Sequence, residues 1–374
     1  MQEKKLIKIE KIVFGGKGLG RIDGKVVFAE GVLPGEVIEA DLIQKKHFFE
    51  AKNIEIVSPS KFRVKPDCKY TDCGGCDFRF CDYGYEIELK KEMLADTLKR
   101  IAKIEIEKES VSTIFSERNH YRIKSGFKVK NGKIGFFRKK SHSIVDIDYC
   151  LQIPEIANRK LKEVRKTKPE RDFFIETHPF EEKAFFYFKG EKNGEIAIDF
   201  GRYIMLHKTG NFIQANRLIL RDFIKTVVNF AGRGKNLVEL YAGSGLFTLP
   251  LSFNFEKIYA YESSKSACEM LEKSLNANEL KNVEILNKPS EKFSEKKYDA
   301  IVVDPPREGL SKTVVEKIKK NPPQRMVYVS CNASTFARDL KALSSVFYLK
   351  KIALIDNFPA TAHFETVALL EKIN

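Results

Sequence analysis

Three stretches place reactive side chains where an apolar strand meets a polar turn: VVDPPREGL (302–310), MVYVSCNAST (326–335) and IDNFPATAHFETVALL (355–370). Asp304 ends the strand AIVV, and Pro305-Pro306 stop it, since proline cannot donate to a strand ladder. Cys331 follows MVYVS and precedes the helix NASTFARDL. A helix amino end favours a thiolate, so the thiol is expected below its ordinary pKa of roughly 8.5 and suited to nucleophilic attack. The competing reading is a buried structural thiol. Glu365 opens a strand, where a glutamate is ordinarily solvated, and His363 is more often a structural histidine than a general base.

A second set has metal-ligand character. Cys68, Cys73, Cys76 and Cys81 fall within fourteen residues, in a chain of seven cysteines. Cys68-x4-Cys73-x2-Cys76 is compact, and Gly74-Gly75 let the backbone wrap an ion. Cys150, in VDIDYCLQIPE, completes a four-thiolate set that suits either zinc or an iron–sulfur cluster. Cys81, at a helix start, is set aside.

The elements around these residues divide the chain into three. Residues 5–57 read as short strands with Gly-rich turns, which is a small β-barrel. GGKGLG lacks the Gly-Lys-Ser/Thr ending of a phosphate loop and reads as turn glycine. Ser58-Pro59-Ser60 marks a boundary. The cysteine cluster, the helix YEIELKKEMLADTLKRIAKI and strands punctuated by Asn131-Gly132 and Asn193-Gly194 hairpin signals follow. After Phe212, strands alternate with helices, as in a doubly wound parallel sheet. The expected layout is a β-barrel over 1–58, a central antiparallel α+β unit over 59–205 and an α/β unit over 206–374. The helix near 84–104 is a candidate to pack on the last of these.

Within the α/β unit, NLVELYAGSGLFTLPL is a strand, a Gly-rich turn and a helix. Gly243 and Gly245 let a ligand approach the backbone, and Glu262, at the end of IYAYE, is placed to accept from ribose hydroxyls. With only G-x-G, S-adenosylmethionine is favoured over a dinucleotide. A tight structural turn with a solvated glutamate is the plain alternative.

Sixty-six Lys and Arg against 51 Asp and Glu give a formal charge of +15, which favours polyanionic partners. Basic and aromatic residues interleave in HYRIKSGFKVKNGKIGFFRKKSHS, where Arg122, Lys124, Arg138, Lys139 and Lys140 could position RNA phosphates. An ordinary lysine-bearing hairpin is the bland reading. MQEKKLIKIEK has no apolar signal core and no long apolar run occurs, so a cytoplasmic location is expected, with a monomer as default. The x4 and x2 spacings argue against a radical enzyme, whose three cysteines need x3 and x2.

Taken together, DPPREGL, MVYVSCNAST, DNFPATAHFE and FIQAN (212–216) resemble the RNA 5-methyluridine methyltransferase family, and the resemblance extends over the whole chain. It implies a C-terminal Rossmann-like methyltransferase domain, an N-terminal TRAM-type (OB-like) RNA-binding barrel and methyl transfer from S-adenosylmethionine to carbon 5 of a uridine. It further implies Cys331 as nucleophile, Glu365 as base, and Gln214, Tyr241, Glu262 and Asp304 around cofactor and uracil. CGGC and DIDYC resemble the family's [4Fe-4S] ligands, so Cys68, Cys73, Cys76 and Cys150 are expected to hold that cluster, with zinc as the alternative. The first spacing is one residue shorter than the family's x5. Ala360 stands where the family has Gln, His or Tyr, and Leu246 where a polar residue is frequent. The barrel tilts the expected substrate toward 23S ribosomal RNA, with transfer RNA and a non-catalytic RNA-binding protein as alternatives.

Overall fold

The computed structural model describes residues 4–191, 194–294 and 297–373. Alternating apolar residues build β1 (Lys5–Val13), β2 (Lys17–Ile22), β3 (Lys25–Ala29), β4 (Val37–Gln44) and β5 (Phe49–Ser58), which close a barrel in the order β1-β2-β3-β5-β4. Ile7, Ile9, Val27, Ile38 and Ala40 fill it. Only Gly15 and Gly16 of GGKGLG lie in a turn. Gly18 and Gly20 belong to β2, where a Cβ would come within 2.3 Å of Val32 and 2.6 Å of Ile7. For those two, the barrel's narrow interior replaces the turn explanation.

The next segment contributes α1 (Tyr83–Thr97), capped by the Asp82 side chain, which accepts from the Tyr85 amide. Its last turn widens into a π-helix over Leu98–Ala102 and stops at Lys103, with φ of 62°. After β6 (Ser112–Ile114) come β7 (Lys124–Lys130), β8 (Lys133–Phe137), β9 (Ile144–Asp146), α2 (Glu155–Lys166), β10 (Phe173–Thr177) and β11 (Ala184–Phe188). These strands form a sheet ordered β11-β10-β7-β8-β9. Asn131 and Gly132 take positive φ and join β7 to β8, as their types require. Asn193 lies outside the described residues. The strands flanking the Asn193-Gly194 signal part company: β11 pairs with β10, whereas β12 (Glu195–Asp199) pairs with β13 (Ile204–Lys208).

The remaining chain is α3 (Leu220–Ala231), β14 (Gly234–Leu240), α4 (Thr248–Leu251), β15 (Phe255–Tyr261), α5 (Lys265–Ala277), β16 (Val283–Leu286), β17 (Ala300–Val303), α6 (Lys312–Lys320), β18 (Arg325–Ser330), α7 (Ala333–Leu343), β19 (Phe347–Ile355) and β20 (Glu365–Lys372). The sheet runs β16-β15-β14-β17-β18-β20-β19-β6, with its first five strands parallel and β20 antiparallel to both neighbours. Its eighth strand, β6, comes from the N-terminal half and pairs parallel with β19. Ahead of α3, Asn216 ties the chain to two other segments. Its Oδ1 accepts from the Leu218 amide, and its Nδ2 donates to Ser116 Oγ and the Asp356 carbonyl.

Both faces of this sheet are covered. Phe223, Val227 and Phe247 pack on one. On the other, a continuous core joins Ile12 and Leu33 of the barrel, Phe78 of the cysteine segment, Met93 and Leu94 of α1, Tyr328 of β18 and Phe336 of α7. The barrel and α1 are thereby fixed against the carboxyl ends of the parallel strands, where open α/β sheets gather ligands. Among the described residues, no helix is long and apolar enough to cross a membrane.

Candidate active site

Strand β14 ends at Leu240, and the chain turns through Tyr241 at φ 65°, Gly243 at 56° and Gly245 at 95°. A Cβ on Gly243 would meet nothing within 4 Å, so this glycine leaves open space above the strand end. Gly245 has a different reason: its Cβ would lie 2.5 Å from Leu271 Cδ1, a packing constraint rather than room for a ligand. Glu262 follows β15 and fastens the turn, one carboxylate oxygen accepting from the Gly243 amide at 2.9 Å and the other from Ser264 at 2.7 Å. Each carboxylate oxygen has further acceptor capacity. After β16, Asn287 donates to the Glu262 and Ser263 carbonyls and holds this corner.

Beyond β17 and β18, Asp304, Cys331 and Glu365 share one electrostatic neighbourhood. Burial pushes the Asp304 carboxyl up to about 7. Glu365, fully enclosed, is raised well above the usual carboxylate range by burial and then by Asp304. Cys331 is pushed up to about 11 by burial, then by Glu365 and Asp304. This reverses the low thiol pKa expected from the helix end. Asn332 is the N-cap of α7, and its side chain, not the thiol, accepts from the Ser334 and Thr335 amides. Desolvation and two carboxyls then outweigh the helix dipole. Arg307, an exposed residue the sequence did not single out, opposes both shifts by its charge.

Asn357 is a second residue the sequence reading missed. Its Nδ2 donates to Gln214 Oε1 at 2.9 Å, its Oδ1 accepts from the Asn216 amide at 3.0 Å, and it favours the ionised form of Glu365. It therefore ties FIQAN to the loop that carries the candidate base. Its signal was a polar residue directly after an apolar strand, visible only once the partner was known.

That loop is anchored by buried charge. Lys90, fully enclosed on α1, donates to Asp356 at 2.7 Å, Glu86 at 2.8 Å and the Phe358 carbonyl at 3.3 Å. Burial opposes its charge, but Asp356 and Glu86 prevail and hold it protonated. Tyr83 Oη also donates to Asp356, and Tyr121 Oη to the Pro359 carbonyl. Ala360 stands at φ 65°, a conformation that costs a non-glycine residue about 1–2 kcal/mol.

Cys68, Cys73, Cys76 and Cys150 line one cavity of about 190 Å³. Cys81 is buried apart from them. Burial pushes the Cys73 thiol up to about 11, with Cys76, Cys150 and Cys68 adding to it. Arg79 also lines the cavity; its Nη1 donates to Asp67 and Asn119, and its guanidinium interacts with the Cys76 thiol. Among the described residues, no three His, Cys, Asp or Glu side chains are gathered to hold a single metal ion. Of the basic residues expected to meet RNA, Arg138 pairs with Asp72, Lys139 with Asp77 and Lys140 with Glu30. Exposed pairs of this kind are worth about 0–1 kcal/mol, so a phosphate can displace them.

A family model described as tRNA (uracil-5-)-methyltransferase matches residues 133–298 and 295–373. An RNA methyltransferase of Aquifex aeolicus is 31% identical, covering 99% of each chain. The 23S rRNA (uracil(1939)-C(5))-methyltransferase of Marinomonas sp. is 28% identical over 98% of this chain and 94% of that protein. In fold, the chain is similar to Pyrococcus abyssi tRNA (uracil-54, C5)-methyltransferase in complex with S-adenosyl-L-homocysteine. That match has a TM-score of 0.78 and 23% identity, and it covers 97% of this chain and 100% of that one.

Proposed function

The chain belongs to the tRNA (uracil-5-)-methyltransferase family and is an S-adenosylmethionine-dependent RNA methyltransferase acting at carbon 5 of uracil; from that premise we propose its mechanism, its site residues and its substrate. The observation that carries the mechanism is the grouping of Cys331, Glu365 and Asp304 at the carboxyl ends of the parallel strands.

S-adenosylmethionine, when bound, supplies a cationic, electrophilic methyl group. The open space over Gly243 and the carboxylates of Glu262 and Asp304 suit such a ligand. Tyr241 and Gln214 complete the wall. Carbon 5 of uracil is a poor nucleophile. Addition of the Cys331 thiolate to carbon 6 moves the ring's electron pair into an enolate, and carbon 5 then takes up the methyl group. Glu365 removes the carbon 5 proton; the double bond re-forms, and the thiolate leaves. Arg307 favours the charged forms of both residues. A uridine in folded RNA must leave its stack to reach the thiol.

The substrate we assign is 23S ribosomal RNA, supported by the Marinomonas relative's match over nearly the whole chain. The barrel is read as a TRAM-type RNA-binding module, and the site of action as the cytoplasm. We further assign a [4Fe-4S] cluster to Cys68, Cys73, Cys76 and Cys150. Four thiols lining one cavity of about 190 Å³ supply the donor set of such a cluster, and the Arg79 guanidinium beside Cys76 would offset its negative charge.

The test is methyl transfer from labelled S-adenosylmethionine to total RNA from cells lacking the gene. Label is expected in 5-methyluridine of 23S ribosomal RNA and absent with Cys331→Ala, and the anaerobically purified protein should contain iron. Normal turnover by Cys331→Ala would refute the mechanism, label in transfer RNA the substrate, and zinc without iron the cluster.

A further inference from the structure

The loop between Asp356 and Glu365 is held from the side of the cysteine cavity, and the contacts come from residues directly after Cys76. The Ala360 carbonyl accepts from the Asp77 amide at 2.8 Å and the Phe78 amide at 3.0 Å. The Ala360 amide donates to Glu86 Oε1 at 2.8 Å. Two residues on, the Ala362 amide donates to Asp77 Oδ2 at 3.0 Å. The barrel closes the other side: a Cβ on Gly16 would sit 2.7 Å from Ala362 Cβ. A left-handed alanine keeps its conformation only when its surroundings over-determine it. Here both polar groups of Ala360 are bonded, and the residue is fully buried.

We propose that Asp77 is a positioning residue for Glu365: its amide and its carboxylate clamp Ala360 and Ala362, and so fix where strand β20 begins and where the base carboxyl stands. This rests on the reading of Glu365 as the base. The clamp makes the CGGCDF segment part of the proton-removal machinery without contact between any cysteine and the substrate. It also gives the thiol cavity a role that needs no electron transfer: the fold of the segment around Cys73 and Cys76 sets the position of Asp77.

The distinguishing feature is which step slows. A misplaced base leaves thiolate addition and methyl transfer intact but delays proton removal, so the covalent RNA adduct accumulates. Asp77→Ala removes the side-chain acceptor; Asp77→Asn keeps an oxygen for the Ala362 amide. For Asp77→Ala, kcat is expected to fall about tenfold or more, with KM for RNA and cofactor falling in step, so that kcat/KM stays within about twofold. The steady-state fraction of protein joined to RNA should rise, and Asp77→Asn should recover most of the turnover. Wild type and Glu365→Gln are run alongside. If Glu365→Gln fails to trap adduct, the reading of the base is wrong. If it traps adduct while Asp77→Ala turns over normally, or loses turnover without adduct, or loses cofactor binding, the clamp is refuted. Equal impairment of Asp77→Asn and Asp77→Ala refutes it too.

Discussion

Cys331 sits just before a helix, yet Asn332 occupies the helix's free amides, and the thiol is left facing Glu365 and Asp304. Residue types and spacing pointed to this thiol, and the family resemblance named Glu365 and Asp304 with it; that the two carboxyls, from other strands, raise the thiol's pKa emerged only from the fold. The sign of their effect is testable. A carboxylate beside a thiol raises its pKa, so removing one lowers it. With Cys331 at about 11, alkylation by iodoacetamide in the cofactor-free protein should climb about tenfold per pH unit through the neutral range. Glu365→Gln should speed alkylation of Cys331 at fixed alkaline pH, followed by peptide mass spectrometry against the other six cysteines. Unchanged or slower alkylation would mean that Glu365 does not act on this thiol.

At the scale of elements, the alternation of strand and helix was legible after residue 212, because apolar runs such as AIVV and MVYVS are separated by helical periodicity. Strand β14 buries a charged type of residue. Glu239 is buried in it, and burial, with Asp304 and Glu262 adding, pushes its carboxyl up to about 8. Its pKa is raised on folding, so the protonated form belongs to the folded state. The stability it contributes is fully present below about 4.5 and lost as pH rises through about 8. Glu239→Gln, which is neutral at every pH, should therefore melt close to wild type near pH 4 and increasingly higher than wild type as the pH rises to about 9. A variant that melts below wild type near pH 9 would show that the ionised form is the one the fold needs. Other elements were hidden for a reason of distance. Nothing local in Ser112–Ile114 says that it will pair with Ala353–Ile355. Likewise, Asn193-Gly194 looks like a hairpin, while its flanking strands join different sheets.

Across the whole molecule, the barrel, the cysteine segment, α1 and the parallel sheet meet at one loop, residues 356–364. Gly16, Asp77, Glu86, Lys90, Tyr121 and Asn216 all touch it, and no sequence window contains them together. Local pattern could therefore show a thiol, an acid and a Gly-rich turn, while the scaffold that aligns them emerges only from the folded chain. That alignment matters because the proposed chemistry holds RNA on the protein covalently from thiolate addition until the carbon 5 proton is removed. The most direct measurement is to incubate Glu365→Gln with S-adenosylmethionine and unmodified RNA, digest the complex, and map the nucleotide-bearing peptide by mass spectrometry. A methylated uridine on the peptide containing Cys331 is the expected result. Methylated RNA that never carries the protein, or carries it through another residue, would contradict the account.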